Sequence, residues 1–195
     1  MTKKDIEFIK DKLSIIIGEP LQEFDRAGMG IFLTFGELVE VSSSIVKGSP
    51  TYELSGKYTL DIDTSARFYI GNNIILTKED ISLPNPTLAN QQGLTFQNFE
   101  WHIRGNNYFD WAVQRHFSGR DFSGYIVKDI DVTKFGDLTI YFKNDFVLET
   151  FIDSVTSLEN WSFGDIREHL SMVRIAGSRL DWDNMEKNHI NNEEV

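Results

Sequence analysis

Residues 51–63 read TYELSGKYTLDID, and this stretch decides the fold. Its apolar members fall on alternate positions: Tyr52, Leu54, Tyr58, Leu60 and Ile62. In an extended chain these side chains share one face, while polar and charged side chains occupy the other. The pattern is typical of an antiparallel strand with one face toward water. Gly56 in the middle indicates a bulge or a bend.

The same period of two recurs on both sides of this strand. It predicts further strands over residues 29–35 and 37–42 (separated by Gly36), 66–70, 73–76, 125–132, 138–142 and 146–152. The last three follow one another through short turns, which predicts a meander of hairpins. Residues 169–176 can complete a final strand.

Residues 3–17 have a different period. Their apolar positions fall close to a 3–4 spacing, at Ile6, Ile9, Leu13, Ile16 and Ile17. This predicts an amphipathic helix, with Thr2 as its N-cap and with Gly18 and Pro20 ending it. Together with the strands, it predicts an α+β fold: a mainly antiparallel, twisted sheet, curled or in two layers, with the N-terminal helix packed on it.

Three segments lack a regular period. Residues 81–98 predict a long polar loop, followed by a short helix around 108–117. Residues 154–165 predict a second polar loop around Trp161. Residues 183–195 are polar and charged and predict a loose tail, so we expect one domain over residues 1–182.

Composition and charge restrict the function. The chain has 195 residues, no cysteine and a formal net charge of -11. Nucleic acids and anionic membrane surfaces are negative, so neither is an expected partner, whereas a basic protein is. The absence of a signal peptide pattern or of about 18 consecutive apolar residues indicates the cytoplasm.

Motifs for cofactors and metals are absent from the sequence. The histidines, at positions 102, 116, 169 and 189, do not show a zinc-binding spacing, and Gly28-x-Gly30 lacks the third glycine of a nucleotide fingerprint. We therefore expect neither a cofactor nor a metal, and the chain favours a non-enzymatic protein.

Three Asp-x-Asp pairs could carry hydrolytic chemistry. They are Asp61/Asp63, Asp129/Asp131 and Asp181/Asp183. Two carboxylates in one cleft can act as acid and base, so an acid-dependent hydrolase stays an alternative. The first two pairs lie on the polar faces of predicted strands, which favours solvated surface positions instead.

Residues 99–116 combine aromatic and basic side chains. The candidate binding residues there are Trp101, His102, Arg104, Tyr108, Trp111, Arg115 and His116. Trp, Tyr and Arg are frequent at protein interface hot spots, and aromatic rings also stack on sugars and small ligands. This stretch is therefore a candidate contact surface for a protein, with a small-ligand or carbohydrate-binding module as the alternative.

Several short features also resemble a group of small bacterial proteins whose domain has no assigned activity. These are Arg67 with Ile74-Ile75 and Asp80, the hairpin 136–153, Glu159-x-Trp161 and His169-Leu170. The resemblance spans roughly residues 28–180. By analogy with small acidic bacterial proteins of this kind, it implies an immunity-like or regulatory protein that binds another protein.

Overall fold

The computed structural model describes residues 1–46, 49–117, 122, 124–156, 158–168 and 170–182. Within these residues, antiparallel strands form two sheets and the helices are few, so the predicted α+β class is confirmed. The predicted tail at 183–195 lies outside the described residues, as does His169.

The helices and strands have the following bounds. The α-helices are α1 (Lys3–Leu13), α2 (Pro86–Gln92) and α3 (Tyr108–His116). The strands are β1 (Leu21–Ala27), β2 (Gly30–Val46), β3 (Ser49–Ile62), β4 (Ser65–Ile70), β5 (Asn73–Thr77), β6 (Val127–Val132), β7 (Leu138–Phe142), β8 (Phe146–Phe151), β9 (Glu159–Asp165), β10 (Leu170–Ala176) and β11 (Arg179–Leu180).

The two sheets pack face to face. The six-stranded sheet has the order β1-β2-β3-β9-β10-β11, and the five-stranded sheet has the order β5-β4-β8-β7-β6. Aromatic rings from both sheets meet between them: Phe24 lies 4.7 Å from Phe68, and Phe35 lies 6.5 Å from Phe142, centroid to centroid. The alternation of the strands therefore builds a core between two layers.

Helix α1 closes one side of this core, as predicted. Thr2 and Asp5 form a capping box at its start, and Ile9 and Leu13 are fully buried. A 3-10 turn at Ser14–Ile16 follows, and Ile17 is 46% exposed instead of completing the buried stripe. The helix contacts β6 and β10, so it spans both sheets.

Strand β2 runs without a break where two strands are predicted. A β-bulge between Phe35 and Leu38 interrupts its register with β3, and Gly36 lies there with a φ of +88°. The bulge predicted at Gly56 is thus found in the partner strand, opposite the adjacent residue Lys57, while Gly56 itself pairs with Leu38. A Cβ atom on Gly56 would lie 2.6 Å from the backbone nitrogen of Phe35, so the close approach of the two strands requires glycine.

The prediction of a long loop over 81–98 is wrong. A 3-10 helix covers Lys78–Ser82, and α2 follows. Asn85 caps α2 through the backbone N–H groups of Thr87 and Leu88, and Gly93 ends it in a left-handed conformation. An Asn-Pro start and a glycine stop are helix signals in themselves, but the polar composition obscured them.

The prediction of a loop over 154–165 is also wrong. Residues 159–165 form β9, a central strand between β3 and β10. Trp161 is fully buried, and its indole N–H donates to the carbonyl of Gly136 at 2.8 Å. Asn160 and Ser162 are buried as well, so both faces of β9 are covered although its sequence looks half polar.

The other predicted elements are confirmed. The hairpin of β4 and β5, the meander β6-β7-β8, the short helix α3 and strand β10 all form. None of the helices in the described part of the chain is long and apolar enough to cross a membrane.

The close strand approach generates a prediction for Gly56→Ala. The added methyl group would overlap the backbone of Phe35, and we expect a loss of at least about 2 kcal/mol in the free energy of unfolding. Urea denaturation measures this loss. Gly124→Ala is the control, because its Cβ would meet open space, and it should stay within about 0.5 kcal/mol of the wild type. An equally mild effect at Gly56 would contradict the predicted overlap.

Candidate functional site

A buried ion pair joins the edge strand β1 to helix α3. The guanidinium of Arg26 donates to the carboxylate of Asp110 twice, from Nε to Oδ1 at 2.7 Å and from Nη2 to Oδ2 at 2.9 Å. The two side chains are only 4% and 6% exposed. A bidentate geometry of this kind offsets the cost of removing both charges from water.

Backbone groups make further hydrogen bonds to both side chains of the ion pair. Arg26 also donates to the carbonyl oxygens of Gly28 and Trp101, both at 3.1 Å. The Oδ2 atom of Asp110 accepts a further bond from the backbone N–H of Gly105 at 2.7 Å. The pair therefore holds β1, α3 and the loop at 101–105 in one arrangement.

Asn107 fixes the start of α3. Its side chain is fully buried and accepts a bond from the backbone N–H of Asp110 at 2.8 Å, which caps the helix. The same side chain donates to the carbonyl of Trp101 at 2.9 Å. The cap and the ion pair thus converge on one carbonyl and position the loop before the helix.

The aromatic candidates of residues 99–116 divide into two groups. Tyr108, Trp111 and Arg115 lie on one face of α3, with the two rings 5.1 Å apart and the guanidinium carbon of Arg115 5.3 Å from the Trp111 ring. Both rings are half buried against the core. Trp101 and His102 lie on the preceding loop, with their ring centroids 5.9 Å apart.

A cavity of about 480 Å³ lies between β1 and α3, and we call it the β1–α3 cavity. Its lining residues are Asp25, Arg104, Gly105, Asp110, Val113, Gln114 and Phe117. Among the candidate binding residues, Arg104 is the one that lines it, and neither Trp101 nor Trp111 does. His116 is exposed at the end of α3.

Asp25 supplies the second carboxylate at this cavity, besides that of Asp110. Its side chain is 8% exposed and accepts bonds from the backbone N–H of Arg26 at 2.8 Å and from Nη1 of Arg104 at 2.5 Å. The hydrogen bond between Arg104 and Asp25 raises the pKa of Arg104, and the negative charges of Asp25, Asp110 and Glu23 raise it further. Sequence reasoning missed Asp25 and Asp110. The adjacent charges of Asp25 and Arg26 inside a strand-like segment could have indicated buried charges with distant partners.

Part of the β2–β3 hairpin extends beyond its sheet. Strand β1 pairs with β2 only as far as Phe35, and β9 pairs with β3 only from Tyr58 onward. Among the described residues, 38–46 and 49–56 therefore pair as strands only with each other. We call these two ranges the hairpin arm. Tyr52 and Leu54, predicted to face a core, are 63% and 62% exposed on it.

A groove of about 520 Å³ lies where the arm leaves the sheet, and we call it the acidic groove. Its lining residues are Gln22, Glu23, Phe32, Thr34, Leu38, Val41, Glu53, Leu54, Ser55, Thr59, Asp61 and Ile166. Five of these are apolar, three are carboxylates, and none of these lining residues is a lysine or arginine. Leu38 and Leu54 are both more than half exposed.

Asp61 departs from the predicted solvated surface, whereas Asp63, Asp129 and Asp131 are exposed. Asp61 is half buried and faces a smaller cavity of about 260 Å³ that Asp63 and Glu159 also line. Burial, followed by the charges of Glu159 and Asp63, raises the pKa of Asp61 to about 6.

The remaining acidic pairs have ordinary partners. Asp131 accepts a bond from Lys10 at 2.6 Å, which lowers the pKa of its carboxyl. Asp181 lies 3.4 Å from Arg174, and Asp183 is outside the described residues. Across the described ranges, no group of three or more His, Asp or Glu side chains is arranged to hold a metal ion.

Comparisons with known proteins add no further assignment. No family model, no curated protein and no solved structure matches this chain.

The buried ion pair generates a prediction about stability. Replacement of Arg26 by Met leaves the Asp110 carboxylate buried without its cation, and we expect a loss of about 3–5 kcal/mol in the free energy of unfolding. The double variant Arg26→Met/Asp110→Leu removes both charges and should recover much of this loss. Urea denaturation with near-ultraviolet circular dichroism measures both. Lys3→Met, which breaks an exposed ion pair with Glu7 on α1, is the control and should cost less than about 0.5 kcal/mol. Strictly additive losses in the double variant would contradict a coupled pair.

The raised pKa of Asp61 generates a prediction about pH. Because the folded protein holds this proton more tightly than the unfolded chain, stability falls as pH rises from about 4 through about 6. Asp61→Asn should therefore match the wild type near pH 4 and exceed it by about 1–2 kcal/mol at pH 7. Chemical denaturation at both pH values measures the difference. Asp129→Asn, at an exposed site, is the control, and a gain that is equal at the two pH values would contradict the assignment.

Proposed function

We propose that this protein is a non-catalytic interaction protein that binds a basic protein partner through the acidic groove. The observation that carries the proposal is the combination of exposed apolar side chains with carboxylates in that groove. This surface is consistent with a cytoplasmic protein that neutralises its partner, as an immunity protein does, or that regulates it.

The hairpin arm supplies the apolar part of the surface. The cross-strand pairs Leu38 with Gly56, Glu40 with Leu54, and Ser42 with Tyr52 place the three large apolar side chains on one face of the arm. A two-stranded ribbon with an exposed apolar face is marginally stable in water. A partner that covers this face would bury apolar area and stabilise the arm.

The backbone of the arm supplies hydrogen-bonding groups. Beyond Phe35 in β2 and before Tyr58 in β3, no third strand from the described part of the chain continues the ladder. Open edges of this kind accept an additional extended strand from another protein. The arm therefore fits a partner segment that lies in the extended conformation.

The negative charge of the groove favours a partner with positive charge. Glu23, Glu53 and Asp61 line it, and Glu37 and Glu40 lie nearby on β2. Lys57, beside Glu37 at 3.7 Å, and Arg167, which interacts electrostatically with Lys57, are positive charges at its margin. A segment that alternates lysine or arginine with apolar residues matches both the carboxylates and the apolar floor.

The two alternatives rest on different residues. A small-ligand or carbohydrate module would use the 99–116 aromatics, of which Tyr108 and Trp111 are half buried against the core. An acid-dependent hydrolase is favoured by the raised pKa of Asp61 next to Asp63 and Glu159. If the protein is such a hydrolase, Asp61→Asn abolishes turnover of a glycoside substrate, whereas an interaction protein shows no turnover to lose.

Variants of the arm test the proposed function. Wild-type protein and the variant Glu53→Lys/Leu54→Ser serve as bait in lysate of the source cell, at low and at moderate salt, with mass spectrometry of the retained proteins. We expect the wild type to retain a basic protein that the variant loses, and to release it as salt rises. With the purified partner, the variant should bind at least about 10-fold more weakly, or about 1.4 kcal/mol.

The matched control is Glu79→Lys/Leu158→Ser. It makes the same chemical changes at exposed positions outside the groove, since Leu158 is 67% exposed. It should retain the partner as the wild type does. Equal retention by the arm variant, or no retained protein at either salt, would overturn the proposal.

A further inference from the structure

We infer that the outer face of the five-stranded sheet binds a neutral oligosaccharide of pyranose units. The site consists of a row of side chains across this sheet and of a cavity of about 610 Å³ that adjoins the row at β6 and β7. Its residues differ from those of the acidic groove and from the candidates in 99–116. The protein would therefore carry a saccharide site besides its proposed protein-binding surface.

The register of the strands brings four large side chains into one row across this face. Tyr69 pairs with Ile74 on one side and with Val147 on the other. Val147 pairs in turn with Tyr141. Residues that pair directly share one face of a sheet. The adjacent Phe68 is fully buried in the core, so the row points away from the core.

The row presents aromatic rings to water at a defined spacing. Tyr141 is 38% exposed, and Tyr69 is half buried. Val147 between them is only 9% exposed, so neighbouring side chains of this face cover it. Two strand spacings separate the two tyrosines, or about 10 Å. Aromatic rings placed in this way can stack on the apolar C–H faces of successive sugar units.

Hydrogen bonds hold Tyr69 in place. Its hydroxyl donates to Oε1 of Glu149 at 2.9 Å, and Nε of Arg67 donates to Oε2 of the same carboxylate at 2.5 Å. The guanidinium carbon of Arg67 also lies 4.8 Å from the centre of the Phe151 ring. Because this part of the face is ordered before a ligand arrives, binding loses less conformational entropy.

The cavity that adjoins the row contains charges of both signs. Its charged lining residues are Lys10, Lys128, Asp129, Asp131 and Asp145. Lys10 pairs with Asp131 at 2.6 Å. A ligand with a net charge would meet like charges here, whereas a sugar hydroxyl both donates and accepts and can bond either kind of group. The combination of mixed charges with exposed rings therefore favours a neutral, polyhydroxylated ligand.

Isothermal titration calorimetry of the full chain with cellotetraose and with N-acetylchitotetraose tests the inference. In both saccharides the ring substituents are equatorial, which leaves the C–H faces apolar. We expect at least one of them to bind, with an affinity that changes less than about 2-fold between low and moderate salt, because neither is charged. No binding of either saccharide, or binding that weakens steeply with salt, would overturn the inference.

Two variants locate the site. Tyr141→Thr keeps a strand-forming residue but removes the ring, and it should bind the saccharide at least about 10-fold more weakly. Tyr52→Thr, the same change at an exposed tyrosine of the hairpin arm, is the matched control and should bind as the wild type does. Asp129→Ala removes an exposed acceptor of the cavity and should weaken binding at least about 5-fold. Wild-type affinity in Tyr141→Thr, or in Asp129→Ala if Tyr141→Thr does not fold, would contradict the site.

The saccharide site and the acidic groove can be tested separately. Tyr141→Thr should still retain the basic protein partner, and Glu53→Lys/Leu54→Ser should still bind the saccharide with wild-type affinity. A saccharide affinity that is lost in Glu53→Lys/Leu54→Ser but kept in Tyr141→Thr would place the ligand at the acidic groove and overturn the inference.

Discussion

The Arg26–Asp110 ion pair is the interaction that holds helix α3 against β1 and so positions the β1–α3 cavity. Both charges lie almost out of contact with water, at 4% and 6% exposure, and each such ion costs several kcal/mol unless its hydrogen bonds are complete. The required donors and acceptors come from β1, from the loop carbonyl of Trp101 and from the backbone of Gly105. Helix α3 can therefore occupy only a narrow set of positions against the edge of the six-stranded sheet, and the β1–α3 cavity is the space that this arrangement leaves.

Two ion pairs on neighbouring residues of β1 differ because of their exposure. Arg26 is enclosed and bonded to three separate elements, so its pair with Asp110 holds the fold together. Arg104 reaches the adjacent Asp25 from a loop, with more than half of its side chain in water. The same kind of ion pair is thus enclosed at Arg26 and partly open to water at Asp25, because only in the second pair does the cation lie mostly in solvent.

Sequence periodicity predicted the parts of the fold that one local pattern determines. The strand at 51–63, the meander at 125–152 and the N-terminal helix were each found, although the first buries only the end of its stripe, at Leu60 and Ile62. Strand β9 was missed because its polar residues Asn160 and Ser162 are covered by tertiary packing. The cavity was missed because it depends on residues 25 and 110, which lie far apart in the chain. The same long-range packing leaves Tyr52 exposed, because the neighbouring strands end before they reach it.

The carboxylates of the hairpin arm can be related to its exposed apolar face by one physical argument. An arm with open edges and exposed leucines invites pairing with copies of itself, and charged side chains beside such strands oppose this because like charges repel. Glu40 lies directly across from Leu54, and Glu53 directly precedes it. These carboxylates would keep two identical arms apart and at the same time attract a positively charged strand. A surface of this kind would discriminate by the sign of its partner's charge, so under the proposed function the feature that opposes self-association would also select what the protein binds.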